Sequence, residues 1–350
     1  TLTMAVPDWP PTRIMKKFTK KATVALAAAL PLTLMLAGCA GGGETAAPEG
    51  DDNTLTVWAW DPAFNIYALE EAAKIYQVEN PDFELEIVET PWDDLQPKLT
   101  TLAQSQQLGE LPDIFLMQNN AFQKNVLNYP DLFSEISSDA VDFSEFPDAV
   151  TAYSTVDGAH YGVPFDSGTA ITALRTDVLT EAGYTVADFT DISWDQYIEQ
   201  GKDVLAKTGK PLLSGLAGSA DIIMMILQSA GASLFDAEGN PTIADNAALI
   251  DAIAVYAQLV ESGVLVEVNS WDEYIGTFVN GSVAGTINGV WISGSIQSAA
   301  DQDGLWAVTN LPKLDGVSGA TNYSANGGSS WAISSNANVD LATDFLAATF

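Results

Sequence analysis

Between residues 54 and 128 the chain alternates short runs of β-branched and aromatic residues with longer stretches in which apolar side chains recur every three or four positions. TLTVWAW (54–60) is apolar enough to read as a strand buried on both faces. Asp61-Pro62 follows, an acid suited to cap a helix and a proline suited to its first turn. Leu69, Ala72, Ala73 and Tyr76 then mark one helical face. FELEIVE (83–89) reads as the next strand, Leu95, Leu99 and Leu102 line a second helix, DIFLMQ (113–118) is a third strand and NNAFQKNVL (119–127) a third helix. Alternation of strand and helix predicts a parallel sheet with crossover connections.

A second set of elements follows GAHYGVPFDSG (158–168). TAITALR reads as a strand; Ser193-Trp194-Asp195-Gln196 reads as a capping box opening a helix with Tyr197, Ile198, Val204 and Leu205 on one face. A further helix carries Leu249, Ile253, Tyr256, Ala257 and Val260 and ends at Gly263; a second capping box, Ser270 to Glu273, opens WDEYIGTFV. Strand VAGTI, the turn NGVW and strand LWAVTNL close the set. The chain is long enough for two domains of ordinary size.

The first 53 residues lack this periodicity. Lys16, Lys17, Lys20 and Lys21 precede an uncharged apolar run, Ala22 to Leu36, and small residues lead to Cys39, the only cysteine. That order is a secretory signal, too short for a comfortable membrane span. A lone thiol closes no internal disulfide and makes no paired metal or redox site. LAGC (37–39 with its leucine) is similar to the lipobox of bacterial lipoproteins, which makes Cys39 the expected lipidation site and the first mature residue. Thr1 to Ile14 reads as a leader ahead of the start at Met15, and the Gly- and acid-rich stretch after Cys39 as a flexible tether.

Composition narrows the function. With 13 Lys and Arg against 46 Asp and Glu the net charge is −33, so the surface repels nucleic acid and anionic lipid, and a lipid has to hold the protein at the membrane. One histidine, His160, rules out a multi-histidine metal site, and there is no nucleophile elbow, dinucleotide fingerprint or phosphate loop. No metal site and no cofactor are expected. Several tryptophans instead sit beside Asp or Asn at strand ends: Trp60-Asp61, Asn119-Asn120, Asn288-Gly289-Val290-Trp291, and Asn326 to Trp331. Ligands of open α/β sheets bind beyond the carboxyl ends of strands, and a ring beside an amide or carboxylate suits the C–H face and hydroxyls of a sugar. Trp194 and Trp271, at helix starts, read as structural, and Trp58 and Trp331 as core.

LTVWAWD, LPDIFLMQNN, YGVPFDSGTAITALRTDVL, GTFVNGSVAGTINGVWISGSI, WAVTNLPKLDG and GGSSWAIS, in this order, resemble the family 1 extracellular solute-binding proteins of ABC importers, the group that includes maltose-binding protein. The resemblance implies an α/β, two-lobe periplasmic-binding-protein-like (type II) fold with hinge-linked lobes. It divides the chain into leader and signal 1–38, tether 39–53, the first part of lobe 1 at 54–164, lobe 2 at 165–310, and a return to lobe 1 at 311–350 whose further C-terminal helices are missing. It implies a cleft in which Trp60, Asp61, Asn119, Asn120, Asp166, Asn288 and Trp291 contact ligand, with Gly327, Gly328 and Ser329 approaching it by their backbone. The function it implies is a monomeric, lipid-anchored receptor on the outer face of the bacterial cytoplasmic membrane. Such a receptor captures a carbohydrate and delivers it to the permease subunits without catalysis. A polyamine receptor and a secreted glycosidase are the alternatives.

Overall fold

The computed structural model describes residues 53–236 and 240–350. Cys39, the signal segment and the tether lie outside the described residues. The first lobe runs β1 (Thr54–Ala59), α1 (Asn65–Tyr76), β2 (Glu84–Glu89), α2 (Trp92–Ser105), β3 (Ile114–Gln118), α3 (Asn119–Asn128), α4 (Asp148–Ser154), the small hairpin β4 (Thr155–Val156) and β5 (Ala159–His160), and β6 (Val163–Asp166). The second runs β7 (Ala170–Arg175), α5 (Thr176–Ala182), α6 (Trp194–Thr208), β8 (Leu213–Leu216), α7 (Asp221–Ser229), α8 (Ala247–Glu261), β9 (Leu265–Val268), α9 (Trp271–Val279), β10 (Gly285–Gly289), α10 (Ser293–Gln297) and β11 (Trp306–Thr309). The chain then returns through β12 (Ser329–Ile333) to α11 (Val339–Thr349).

The first sheet has the order β2-β1-β3-β12-β6. Its β1 pairs in parallel with β2 and β3, as alternation of strand and helix demands. The returning β12 then inserts antiparallel between β3 and β6. Both faces are covered: Leu55, Val57 and Ala59 of β1 point into one apolar cluster and Trp58 into the other, while Trp331 is fully buried in the first. In the second lobe β10-β7-β11 form an antiparallel sheet, and the parallel pair β8-β9 abuts it where the Ala284 N–H donates to the Pro211 carbonyl at 2.8 Å. The carboxyl ends of β8 and β10 therefore share one edge.

Two boundaries and one buried face differ from the sequence expectation. Helix α1 starts at Asn65, not at Asp61-Pro62, because residues 61–64 form a turn closed by the Phe64 N–H on the Asp61 carbonyl. Helix α8 buries Leu249, Ala252, Val255 and Leu259, and leaves Ile253 half-exposed. The helix is apolar around most of its girth, and contact with α6 and α7 selects the stripe. The return to the first lobe comes after Asn322 instead of at residue 311. Leu311 and Leu314 are buried in the second lobe's core, Lys313 exchanges backbone hydrogen bonds with Ile192 and Trp194, and the Asn322 amide donates to the Leu311 and Ile192 carbonyls.

Candidate functional site

Two strands connect the lobes, and they touch. Asp166 ends β6 opposite Ser329, which opens β12, and Thr169 bridges to Ala325. The Asn326 N–H donates to the Gly168 carbonyl at 2.7 Å. Gly168 has φ +62°, and a Cβ there would fall 2.5 Å from the Asn326 oxygen and the Gly328 nitrogen, so only glycine lets the crossings pack this closely.

Four of the residues singled out from sequence meet at this crossing. The Ser329 hydroxyl donates to Asp166 Oδ1 at 2.6 Å, and the Gly168 N–H to Oδ2 at 3.2 Å. Asn119 is buried at the start of α3. Its amide donates to the Asp166 carbonyl and accepts from the Ser330 hydroxyl at 2.9 Å, and its N–H donates to the Gly328 carbonyl. Burial pushes the Asp166 carboxyl above the usual carboxylate range, and the bonds from Ser329 and Gly168 pull it back in part. These groups satisfy one another and tie the two crossings together. Asn120 is exposed and makes no side-chain hydrogen bond among the described residues.

Asn288, Trp291 and Gly327 form a second group. Asn288, buried at the end of β10, accepts from the Asn326 amide at 2.8 Å and donates to the Tyr274 hydroxyl at 3.0 Å. Trp291 Nε1 donates to the Asn326 carbonyl at 2.9 Å. That bond fixes the indole edge against the crossing. A Cβ on Gly327, at φ +77°, would lie 3.1 Å from Trp291 Nε1. Trp271, expected to be structural, is 45% exposed, with its ring 5.9 Å from Trp291 and 5.2 Å from Tyr274. Its capping box is also half-built: Ser270 caps Glu273, but the Glu273 carboxylate accepts from the Asn269 N–H.

Trp60 and Asp61 belong to neither group. They sit in the loop after β1, where the Asn65 side chain accepts both of their N–H groups at 3.1 and 3.0 Å. Trp60 packs on Trp92 with centroids 5.1 Å apart, and Asp61 Oδ1 accepts from the Ala63 N–H. Burial is the main cause raising the Asp61 carboxyl, opposed by the Ala63 and Phe64 N–H groups and aided by Glu89. This loop reaches the other lobe: a Cβ on Gly294 of α10 would come 2.6 Å from the Ala63 carbonyl oxygen.

A cavity of about 40 Å³ lies at the shared edge of β8 and β10, lined by Leu216, Asp221, Ile222, Trp271, Tyr274 and Asn288 among others. Sequence reasoning did not single out Asp221 or Tyr274, and read Trp271 as structural; the available signal was Trp271 itself, three positions after the end of β9 and twenty before Trp291. Among the described residues no group of three or more His, Cys, Asp or Glu side chains is placed to hold a metal ion, and no helix is long and apolar enough to cross a membrane.

Two α/β lobes joined by paired crossings, with polar and aromatic groups gathered at the strand ends between them, define a solute-binding protein. A model of the bacterial extracellular solute-binding protein family matches residues 71–350, and the chain belongs to that family. It is a binding protein of transport, not an enzyme. A lactose-binding protein of Rhizobium radiobacter is 38% identical over 303 residues, covering 86% of this chain and 71% of that protein. An arabinooligosaccharide-binding protein of Bacillus subtilis (strain 168) is 24% identical over 339 residues, covering 94% and 76%. Among solved structures, an ABC-transporter-associated binding protein of B. animalis subsp. lactis, in complex with β-1,6-galactobiose, matches with a TM-score of 0.71 at 20% identity, covering 84% of this chain and 71% of that one.

Proposed function

We propose that this protein captures a carbohydrate, a disaccharide or short oligosaccharide, outside the cytoplasmic membrane and delivers it to the permease of an ABC importer. The observation that carries the reading is the juxtaposition of Trp271, Trp291 and the Asn288-Asn326 amide pair at the interlobe edge. The rings offer apolar faces to sugar C–H groups while the amides offer bonds to hydroxyls. The relatives' sugars, lactose foremost, support the same class. Trp60 and Asp61 contribute from the other lobe, and Asp166, Asn119, Gly328 and Ser329 hold the hinge about which the lobes close. A polyamine is disfavoured because both oxygens of Asp166, the acid nearest the crossing, are already taken by Ser329 and Gly168.

Calorimetry with lactose, galactobiose, maltose and arabinobiose, with spermidine as a separate arm, tests the reading. A sugar binds at micromolar or tighter affinity; binding of spermidine alone, or of none of these, overturns it. Membrane attachment is part of the same proposal: Cys39 carries a diacylglycerol, and the acidic chain needs that lipid because its own charge repels an anionic bilayer. The Cys39→Ser form therefore leaves the membrane fraction or stays uncleaved. Its retention in the membrane after normal cleavage argues against the lipid.

A further inference from the structure

The cavity between β8 and β10 has a size that a whole sugar ring does not fit. At about 40 Å³, against about 10–15 Å³ for one water, it holds an arm of two or three heavy atoms. Its wall is divided. Leu216, Ile222 and Ile287 are apolar, and the Trp271 ring lies beside the opening, still 45% exposed. The polar groups are mostly spoken for: Ser214 pairs with Thr277, the Tyr256 hydroxyl donates to Glu267, and the Tyr274 hydroxyl is shared between Thr286 and Asn288. Asp221, at the first position of α7 and itself exposed to solvent, is the exception. Its carboxylate accepts no hydrogen bond among the described residues, and its charge reaches the Tyr274 hydroxyl, which burial chiefly, and Asp221 in addition, raise above the ordinary tyrosine range. The cavity also opens beside Asn288, and so communicates with the Trp291 group at the interlobe edge.

We propose that this cavity is a subsite for the exocyclic hydroxymethyl arm of a hexose, with the methylene among Leu216, Ile222 and Ile287 and the hydroxyl donated to Asp221. The sugar ring then lies against Trp271. A pentopyranose, which has no such arm, leaves the carboxylate without a donor and the cavity without its methylene, so the subsite selects hexoses over pentoses. The inference rests on the sugar-binding reading above and adds to it the feature of the sugar that is read. A hydroxyl bonded to a charged acceptor in a partly enclosed site is worth enough to discriminate: hydrogen bonds to charged groups contribute about 1.5–3 kcal/mol, which corresponds to roughly tenfold to a hundredfold in affinity.

The test uses the unmodified protein first. The tightest binder in a panel of hexose disaccharides headed by lactose is compared by calorimetry with its forms deoxygenated at each exocyclic carbon, and with xylobiose. One deoxy form binds about tenfold to a hundredfold more weakly, and xylobiose at least as weakly. In Asp221→Ala, whose folding is checked by its thermal midpoint, the parent sugar weakens to the level of that deoxy form and the ratio between them falls to near one. If a hexose disaccharide binds but all its deoxy forms bind equally well, or if Asp221→Ala weakens parent and deoxy forms in the same proportion, the subsite is wrong while the sugar-binding reading stands. If the unmodified protein binds no sugar of the panel, the underlying reading fails.

Discussion

Arg175 ends β7 almost fully buried, and its guanidinium meets Asp177 in a two-pronged contact, Nε to Oδ1 at 2.9 Å and Nη2 to Oδ2 at 2.7 Å. The hydrogen bonds from Arg175 hold the Asp177 carboxyl below the usual carboxylate range. A carboxyl depressed in the folded state contributes stability above its unfolded value, about 3.9, and loses it as pH falls through the folded value. Asp177 is itself 42% exposed, so solvent screens the pair and its removal costs on the order of 1 kcal/mol. Asp177→Asn therefore lowers the denaturant midpoint at pH 7, and the gap to the unmodified protein closes as pH falls below the ordinary carboxylate value, about 3.9. A gap that stays constant with pH assigns the loss to packing. The tryptophans supply a second test at this scale. Trp194 is 1% exposed in the second core, so Trp194→Ala costs about 3–5 kcal/mol of stability and leaves sugar affinity nearly intact. Trp291→Ala does the reverse, weakening binding by about 2 kcal/mol, roughly thirtyfold. If calorimetry finds Trp291→Ala neutral for every bound sugar, the stacking assignment fails. In sequence Trp194 and Trp271 are alike, each one residue after a capping serine, and local chemistry does not separate them. What separates them is tertiary: one ring meets Tyr197 inside the second lobe's core, the other meets Trp291 at its edge.

At the scale of elements, the period of apolar residues locates β1 to β3, β7, β10 and β11 and helices α1 to α3, α6, α8 and α9, about half of those described, and does not always choose the face. Helix α8 is the clearest case. Its sequence AALIDAIAVYAQLVE has apolar residues all round, so two stripes compete, and contact with α6 and α7 buries the one through Ala252, Val255 and Leu259. Leu259→Ala should cost about 2–5 kcal/mol, and Ile253→Lys should stay within about 0.5 kcal/mol, both read from urea midpoints. The opposite ranking returns the helix to the face that the sequence favours. Turns are legible for a different reason. Gly168, Gly327 and Gly328 all have positive φ, and the run Asn-Gly-Gly-Ser between polar neighbours advertises it. The pairing of that run with the Asp166 strand is not legible, because it joins residues 163 positions apart. The sequence groups Asp166, Ser329 and Asn119 as separate ligand contacts; the fold makes them one hydrogen-bonded joint.

For the whole molecule, the arrangement in hand is one in which the lobes already touch away from the hinge. The loop after β1 and the start of α10 meet at Ala63 and Gly294, where a Cβ would come 2.6 Å from a carbonyl oxygen and 3.1 Å from the Ala63 methyl. Under the hinge closure proposed above, this contact belongs to the closed form, which ligand favours by binding it better than an open one. Gly294→Ala tests that contact directly. It adds a methyl group at the point of contact and leaves both cores untouched. Within α10 it replaces glycine by the best helix former, a change of about 1 kcal/mol in favour of the folded lobe. The two effects therefore have opposite signs in different measurements. Thermal stability without sugar should hold or rise slightly. Sugar affinity should fall, by about tenfold if the obstruction withdraws 1.4 kcal/mol from the closed form, and the radius of gyration in saturating sugar should stay larger than that of the unmodified protein. An affinity and a sugar-induced compaction equal to those of the unmodified protein would show that the Ala63 loop yields freely, and that closure is governed at the Asp166–Ser329 crossing instead.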